Sequence, residues 1–87
     1  MKIRELIQLL HDVQIGCGDL EVRIEHQTQD HWHTTLALQI DEGLCGTAGV
    51  KHSAYHNADK IENPMASEPD ELEPGETLVY VLGFTRV

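Results

Sequence analysis

The stretch TLVYVLGFTR, residues 77–86, decides how the rest of the chain must fold. Successive side chains of an extended backbone point to opposite sides, so Leu78, Tyr80, Leu82 and Phe84 share one face and Val79 and Val81 the other. Both faces are apolar, and a strand of that kind needs cover on both. It therefore belongs in the interior of a sheet, with something packed over each side.

One cover is legible at the N-terminus. Ile3, Leu6, Ile7, Leu10 and Val13 recur at helical spacing, while Arg4, Glu5, Gln8 and Asp12 fill the opposite face. That pattern predicts an amphipathic helix over residues 2–13. Gly16 and Gly18 then stop it, because glycine takes up the left-handed conformation that ends helices. Beyond the break, Leu20, Val22 and Ile24 alternate with Glu21, Arg23 and Glu25, and Thr34, Leu36, Leu38 and Ile40 alternate with His33, Thr35, Ala37 and Gln39. Two strands with one buried and one wet face follow, joined by the hairpin-length link QTQDHW, residues 27–32. The expected fold is α+β within one domain, residues 1–87. One N-terminal helix packs on a three-stranded, mainly antiparallel sheet with strands at 20–27, 33–41 and 77–86, the last of them interior.

The segment between the second and third strands is long. Residues 43–76 read as a loop excursion that begins with Gly43, Gly46 and Gly49 and leaves room for a short helix near 52–61. Its second part, ENPMASEPDELEPGE (62–76), holds all three prolines and only negative charges, the mark of a solvated, partly mobile acidic loop. The helix covers only one face of the last strand. The loop, a second copy of the chain or a partner must cover the other, so Val79 and Val81 are expected at an interface, with a homodimer as one form of it.

Charge narrows the function classes. Fifteen acidic residues against six basic ones give a net charge of −9 with neutral histidine. Direct nucleic-acid binding is not expected, since displacing counterions from phosphates needs a basic surface. Anionic membranes are disfavoured for the same reason. A basic protein surface is what this field attracts. The residues expected to meet it are Glu62, Glu68, Asp70, Glu71, Glu73 and Glu76, with Trp32 as an aromatic anchor beside Val79 and Val81.

Histidine offers a second reading. His31 and His33 share a face if they lie on a strand, and His52 and His56 share one if they lie on a helix. Either spacing suits zinc, with Asp30, Glu42 or Cys45 to complete a set, so a histidine-rich metal-binding domain is the alternative. No closed zinc pattern pairs them, and no other cofactor is expected. A third reading is a small hydrolase or nucleotide-binding protein around GLCGTAG (43–49), with Cys17, Cys45 or Ser53 as nucleophile. The glycine run lacks a phosphate-loop lysine. A chain of this size has little room for a deep pocket, so catalysis is not expected.

Cys17 and Cys45 belong to no CxxC pair and are expected as free thiols, buried or half-buried. No apolar run reaches the ~18 residues of a membrane span, and the N-terminus has neither an apolar secretion core nor a small-residue cleavage site. A cytoplasmic location is expected.

The opening MKIRELIQLL followed by GDLEVRIEH resembles a broad group of small phage and prophage proteins. Members begin with a short ELIxxL helix, matched here by Glu5, Leu6, Ile7 and Leu10. A turn then leads to a strand of the DLEVxI type, matched by Asp19, Leu20, Glu21, Val22 and Ile24. The resemblance covers about the first 27 residues and the apolar C-terminal strand. It implies a small α+β domain in a phage or mobile-element setting and carries over no catalytic residue. In the bacterial host cytoplasm, a small acidic protein of this kind would act on a host protein, as an inhibitor of host defence or a mimic of nucleic acid.

Overall fold

In the computed structural model, which describes residues 1–25 and 37–86, the strand built from residues 77–82 is interior as its sequence requires. Helix α1 spans Ile3–Cys17, and the strands are β1 (Glu21–Ile24), β2 (Gln39–Ile40), β3 (Gly46–Ser53), β4 (Ala58–Asn63), β5 (Thr77–Leu82) and β6 (Phe84–Thr85). A four-stranded sheet runs in the order β1-β5-β3-β4, and β2 and β6 form a separate antiparallel pair. The class is α+β with one N-terminal helix, as expected.

Four details depart from the expectation. The helix runs on to Cys17 because Gly16 stays helical and only Gly18, at φ 91°, terminates it. The sheet is mainly antiparallel, as expected, but has four strands instead of three and includes one parallel pair: β1 pairs with β5 in parallel, Val22 opposite Tyr80, whereas β3 pairs antiparallel with β5, Thr47 opposite Tyr80, and with β4. β1 and β2 lie in different sheets instead of forming a hairpin. The link 27–32 and the start of the expected second strand lie outside the described residues. The last strand breaks at Gly83, where a Cβ would come within 2.5 Å of the Cβ and carbonyl oxygen of Leu44.

The largest departure is the excursion 43–76. No helix forms near 52–61. Residues 46–63 build the hairpin of β3 and β4, and β3 lies inside the sheet. The glycine run is therefore no flexible loop. Glu42–Leu44 makes one 3-10 turn, and Gly46–Gly49 opens β3. At the hairpin end Asn57 takes φ 51°, a conformation asparagine tolerates better than most residues.

Alternation sorts the residues of the sheet. Ala48, Val50, Val79 and Val81 form one buried cluster, and Val79 is fully enclosed. Val79 and Val81 are thus core residues of the single chain rather than an interface strip. Their cover is supplied without a second copy. Tyr80 and Leu78 are buried on the opposite face, and Val22, paired with Tyr80, shares it.

Two devices shape that architecture. Arg23 on β1 donates from Nε to Asp59 Oδ2 on β4 at 3.1 Å. These are the two edge strands, about 14 Å apart in a flat four-stranded sheet, so the contact closes only across a curled one. Both groups are partly exposed, which limits their coupling to about 0.5–1 kcal/mol. A double-mutant cycle with Arg23→Ala and Asp59→Ala in urea denaturation is expected to return that value. Coupling near zero would mean the curl is set by the core alone.

The second device is the acidic loop. Thr47 Oγ1 donates to the carbonyl of Ala66 at 2.8 Å, and Asn63 Nδ2 donates to the carbonyl of Glu71 at 3.0 Å. Ala66 is fully buried, and a Cβ on Gly49 would meet Leu72 Cδ2 at 2.7 Å. The segment expected to be solvated and mobile is pinned onto β3. It covers the β3 side of the face on which α1 lies over β1 and β5. Glu62 belongs to β4 and not to the loop.

Candidate binding surfaces

The pinned loop fixes where its carboxylates stand. Pro69–Glu71 forms a 3-10 turn, with the Leu72 amide donating to the Pro69 carbonyl. Two of the acids are spent on the loop itself: Ser67 Oγ donates to Glu71 Oε1 at 3.0 Å, and the Glu73 amide donates to Glu76 Oε1 at 2.9 Å. Glu62 stands 3.8 Å from Lys60 Nζ. The carboxylates of Glu68, Asp70 and Glu73 are exposed and have no side-chain hydrogen bond or ion pair among the described residues. They form a rigidly presented anionic triplet. Trp32, the expected aromatic anchor, lies outside the described residues.

A second surface was not anticipated as a site. The apolar arc of α1 from Leu9 through Leu10 to Ile7 covers about 160° at ~100° per residue, wider than contact with one sheet uses. No residue of the helix is buried; Ile3 is 80% exposed and Ile7 63%. Between α1 and the edge strand β1 runs a groove of about 440 Å³ lined by Ile7, Leu10, Val13, Leu20, Val22 and Tyr80, with His11, Gln14 and Asp19 also on its wall. Gln14 Nε2 donates to Asp19 Oδ1 at 3.4 Å across the turn that joins helix and strand. Burial, then the neighbouring Cys45, Glu42 and Cys17, raises the Tyr80 phenol above its ordinary pKa, so it stays neutral and able to donate a hydrogen bond. The signal for this groove was present in the sequence: Ile3 and Ile7 widen a stripe that Leu6, Leu10 and Val13 already complete.

The histidines do not converge as proposed. His52 is on β3, where its Nδ1 lies 3.4 Å from Asp59 Oδ1 across the ladder, and His56 is in the turn, sharing a 2.9 Å hydrogen bond with Ser53 Oγ through Nδ1. They do not share a helix face. His31 and His33, with Asp30, lie outside the described residues. Among the described residues no group of three or more His, Cys, Asp or Glu side chains is arranged to hold a metal ion.

Ser53 has its histidine neighbour, but Asp59 orients His52 and not His56, so the three do not form a relay. Cys17 is exposed and Cys45 half-buried, and both are free. Exposure of Cys17 departs from expectation and follows from the helix running on to that residue. Cys45 Sγ donates to the Asp41 carbonyl at 3.2 Å and accepts from the Gly83 amide at 3.5 Å, so its contacts latch the turn to the β5–β6 junction.

A cleft of about 880 Å³ opens on the other face of the sheet, lined by Arg23, Glu25, Val50, Asp59, Ile61 and Val81 among others. Within it Arg23 is paired with Asp59, and Lys60 stands 3.8 Å from Glu62. No helix among the described residues is long and apolar enough to cross a membrane.

Comparison with known proteins finds no family model, no curated protein and no solved structure that matches the chain.

Proposed function

We propose that the chain is a non-catalytic, acidic protein-binding module that engages a basic surface on another protein. The observation that carries this reading is the triplet Glu68, Asp70 and Glu73, exposed and uncommitted on a loop held by Thr47, Asn63 and Leu72. A partner that meets it does not have to order the loop first, which lowers the entropic cost of binding. The net charge of −9 adds long-range attraction for a cationic patch. In the phage setting suggested by the N-terminal resemblance, the partner is a host protein in the bacterial cytoplasm. Inhibition of a defence or nucleic-acid-binding protein by imitation of phosphate spacing is the sharpest form of the reading.

A fluorescent oligolysine of about ten residues tests it. Neutralising the triplet together, Glu68→Gln, Asp70→Asn and Glu73→Gln, is expected to weaken binding about ten-fold at low salt, at roughly 0.5 kcal/mol per exposed charge pair. Affinity should also fall as salt is added. Neutralising Glu5, Asp12 and Glu42 changes the net charge equally and is expected to cost less than half as much. Equal losses from both triple variants would reduce the loop to one part of a diffuse field and remove the basis for a defined site.

A further inference from the structure

Among the described residues the groove between α1 and β1 has an edge strand on one side, and the direction of that strand's hydrogen-bonding groups follows from its pairing. The Glu25 amide donates to the Leu82 carbonyl at 3.3 Å, so the amide at position 25 turns toward β5. Alternation then turns Glu21 and Arg23 toward β5 and the amides and carbonyls of Val22 and Ile24 outward. Among the described residues β1 pairs only with β5, on its inner side. The outward Val22 carbonyl accepts from the Arg23 guanidinium at 3.3 Å, a contact that an incoming strand has to displace or share. The other edge strand is unsuited to pairing: a register shift at Gly49/Val50 makes Glu62 an extra residue in β4, and Lys60 and Glu62 stand on it.

We propose that an extended segment of the partner protein adds to β1 as an antiparallel strand, with alternate apolar side chains entering the groove and alternate lysines or arginines facing solvent. Cross-strand partners share a face, so a residue opposite Val22 points where that side chain points, into the groove with Ile7, Leu10 and Tyr80. Val22 is 44% exposed and Ile24 66%, so both gain from such cover. The occupant is basic on charge grounds. The lysines or arginines would share the face of Glu21, whose side chain is 77% exposed and 3.5 Å from Arg23, and the chain as a whole is at −9. This mode of recognition joins main-chain hydrogen bonds for affinity to a groove for side-chain selection. It rests on the reading of the chain as a binder of basic partners and specifies which surface takes the segment.

The test uses the whole chain and a fluorescein-labelled octapeptide of alternating lysine and valine. In the proposed register the valine amides point at β1 and the lysine amides away from it. N-methylation of the valine amides is expected to weaken binding at least ten-fold, whereas N-methylation of the lysine amides is expected to change it less than three-fold. Ile7→Gln, at a position 63% exposed on the groove wall, is expected to weaken binding at least five-fold while circular dichroism stays that of the unaltered chain. The loop triple variant is expected to bind the octapeptide within three-fold of the unaltered chain. Indifference to the position of N-methylation would overturn the inference, even with oligolysine binding intact, and would leave the acidic loop as the sole contact. A dimer in sedimentation that is lost in Ile7→Gln would assign the groove to a second copy and overturn it equally. Failure of the octapeptide to bind while oligolysine binds would do the same.

Discussion

Val79→Asp is expected to abolish the cooperative unfolding transition, leaving an expanded chain without the circular-dichroism signal of its sheet. Val79 is wholly enclosed between Ala48, Val50 and Val81 on the central strands. A carboxylate there is removed from water, and an uncompensated buried charge costs about 3–5 kcal/mol. A chain of this length has about 4–13 kcal/mol of stability in total, at ~0.05–0.15 kcal/mol per residue. The milder Val79→Ala is expected to lose about 2 kcal/mol, from two methyl groups and the space they leave. Urea denaturation with size-exclusion chromatography reads both. The outcome also separates core from interface. Were Val79 a contact with another chain, the aspartate variant would stay folded and lose only association; a folded, monomeric Val79→Asp is the result that would return this residue to the surface.

The reason that distinction was not legible lies in what alternation encodes. The apolar faces of 77–82 say that both sides of the strand are covered, and they place it inside the sheet, which is where β5 lies. They do not say whose atoms provide the cover. The missed hairpin is a different case. β3 begins Gly46-Thr47-Ala48-Gly49, small residues that let β4, β5 and the loop approach closely but carry almost no apolar signal. β4 is exposed along nearly all its length, so it has no period to detect. Parallel pairing of β1 with β5 brings together residues 21–24 and 79–82, a contact that no local pattern can announce.

The acidic loop shows the same limit at the level of a site. Its composition reads as solvated chain, and its carboxylates are indeed mostly exposed. What fixes it are Ala66 and Leu72, two of the three apolar side chains besides proline among fifteen residues, together with side-chain donors that sit on β3 and β4. The lone leucine in PDELEP was the available clue. Its meaning depends on Gly49, which leaves the space Leu72 occupies. The groove along α1 was more open to inference. An apolar arc broader than one sheet contact consumes is visible in the positions of Ile3 and Ile7 alone, and the structure leaves that surplus exposed.

Gly83→Ala is expected to lower stability by about 2–3 kcal/mol and the melting temperature by about 10–20 °C, the upper part of the range for overpacking at this chain length. The added Cβ would stand 2.5 Å from the Cβ and the carbonyl oxygen of Leu44 and 2.9 Å from its carbonyl carbon. Two of those atoms are backbone, so no rotamer change relieves the contact and the turn 42–44 must move away. That movement strains the Asp41 amide bond to the Gly83 carbonyl at 3.0 Å and the Gly83 amide bond to Cys45 Sγ at 3.5 Å. The β2–β6 pair hangs on the same junction and is expected to loosen with it. Gly46→Ala is the matched control. It lies in the same stretch, nothing stands within 4 Å of its Cβ, and its φ is not in the left-handed region. There the only effect is a less flexible unfolded chain, worth about 0.4–1 kcal/mol of stabilisation. Thermal melts of the two variants should therefore move in opposite directions. Equal losses would show that glycine is needed along this stretch for backbone freedom and that the close approach of Leu44 does not decide where β5 ends.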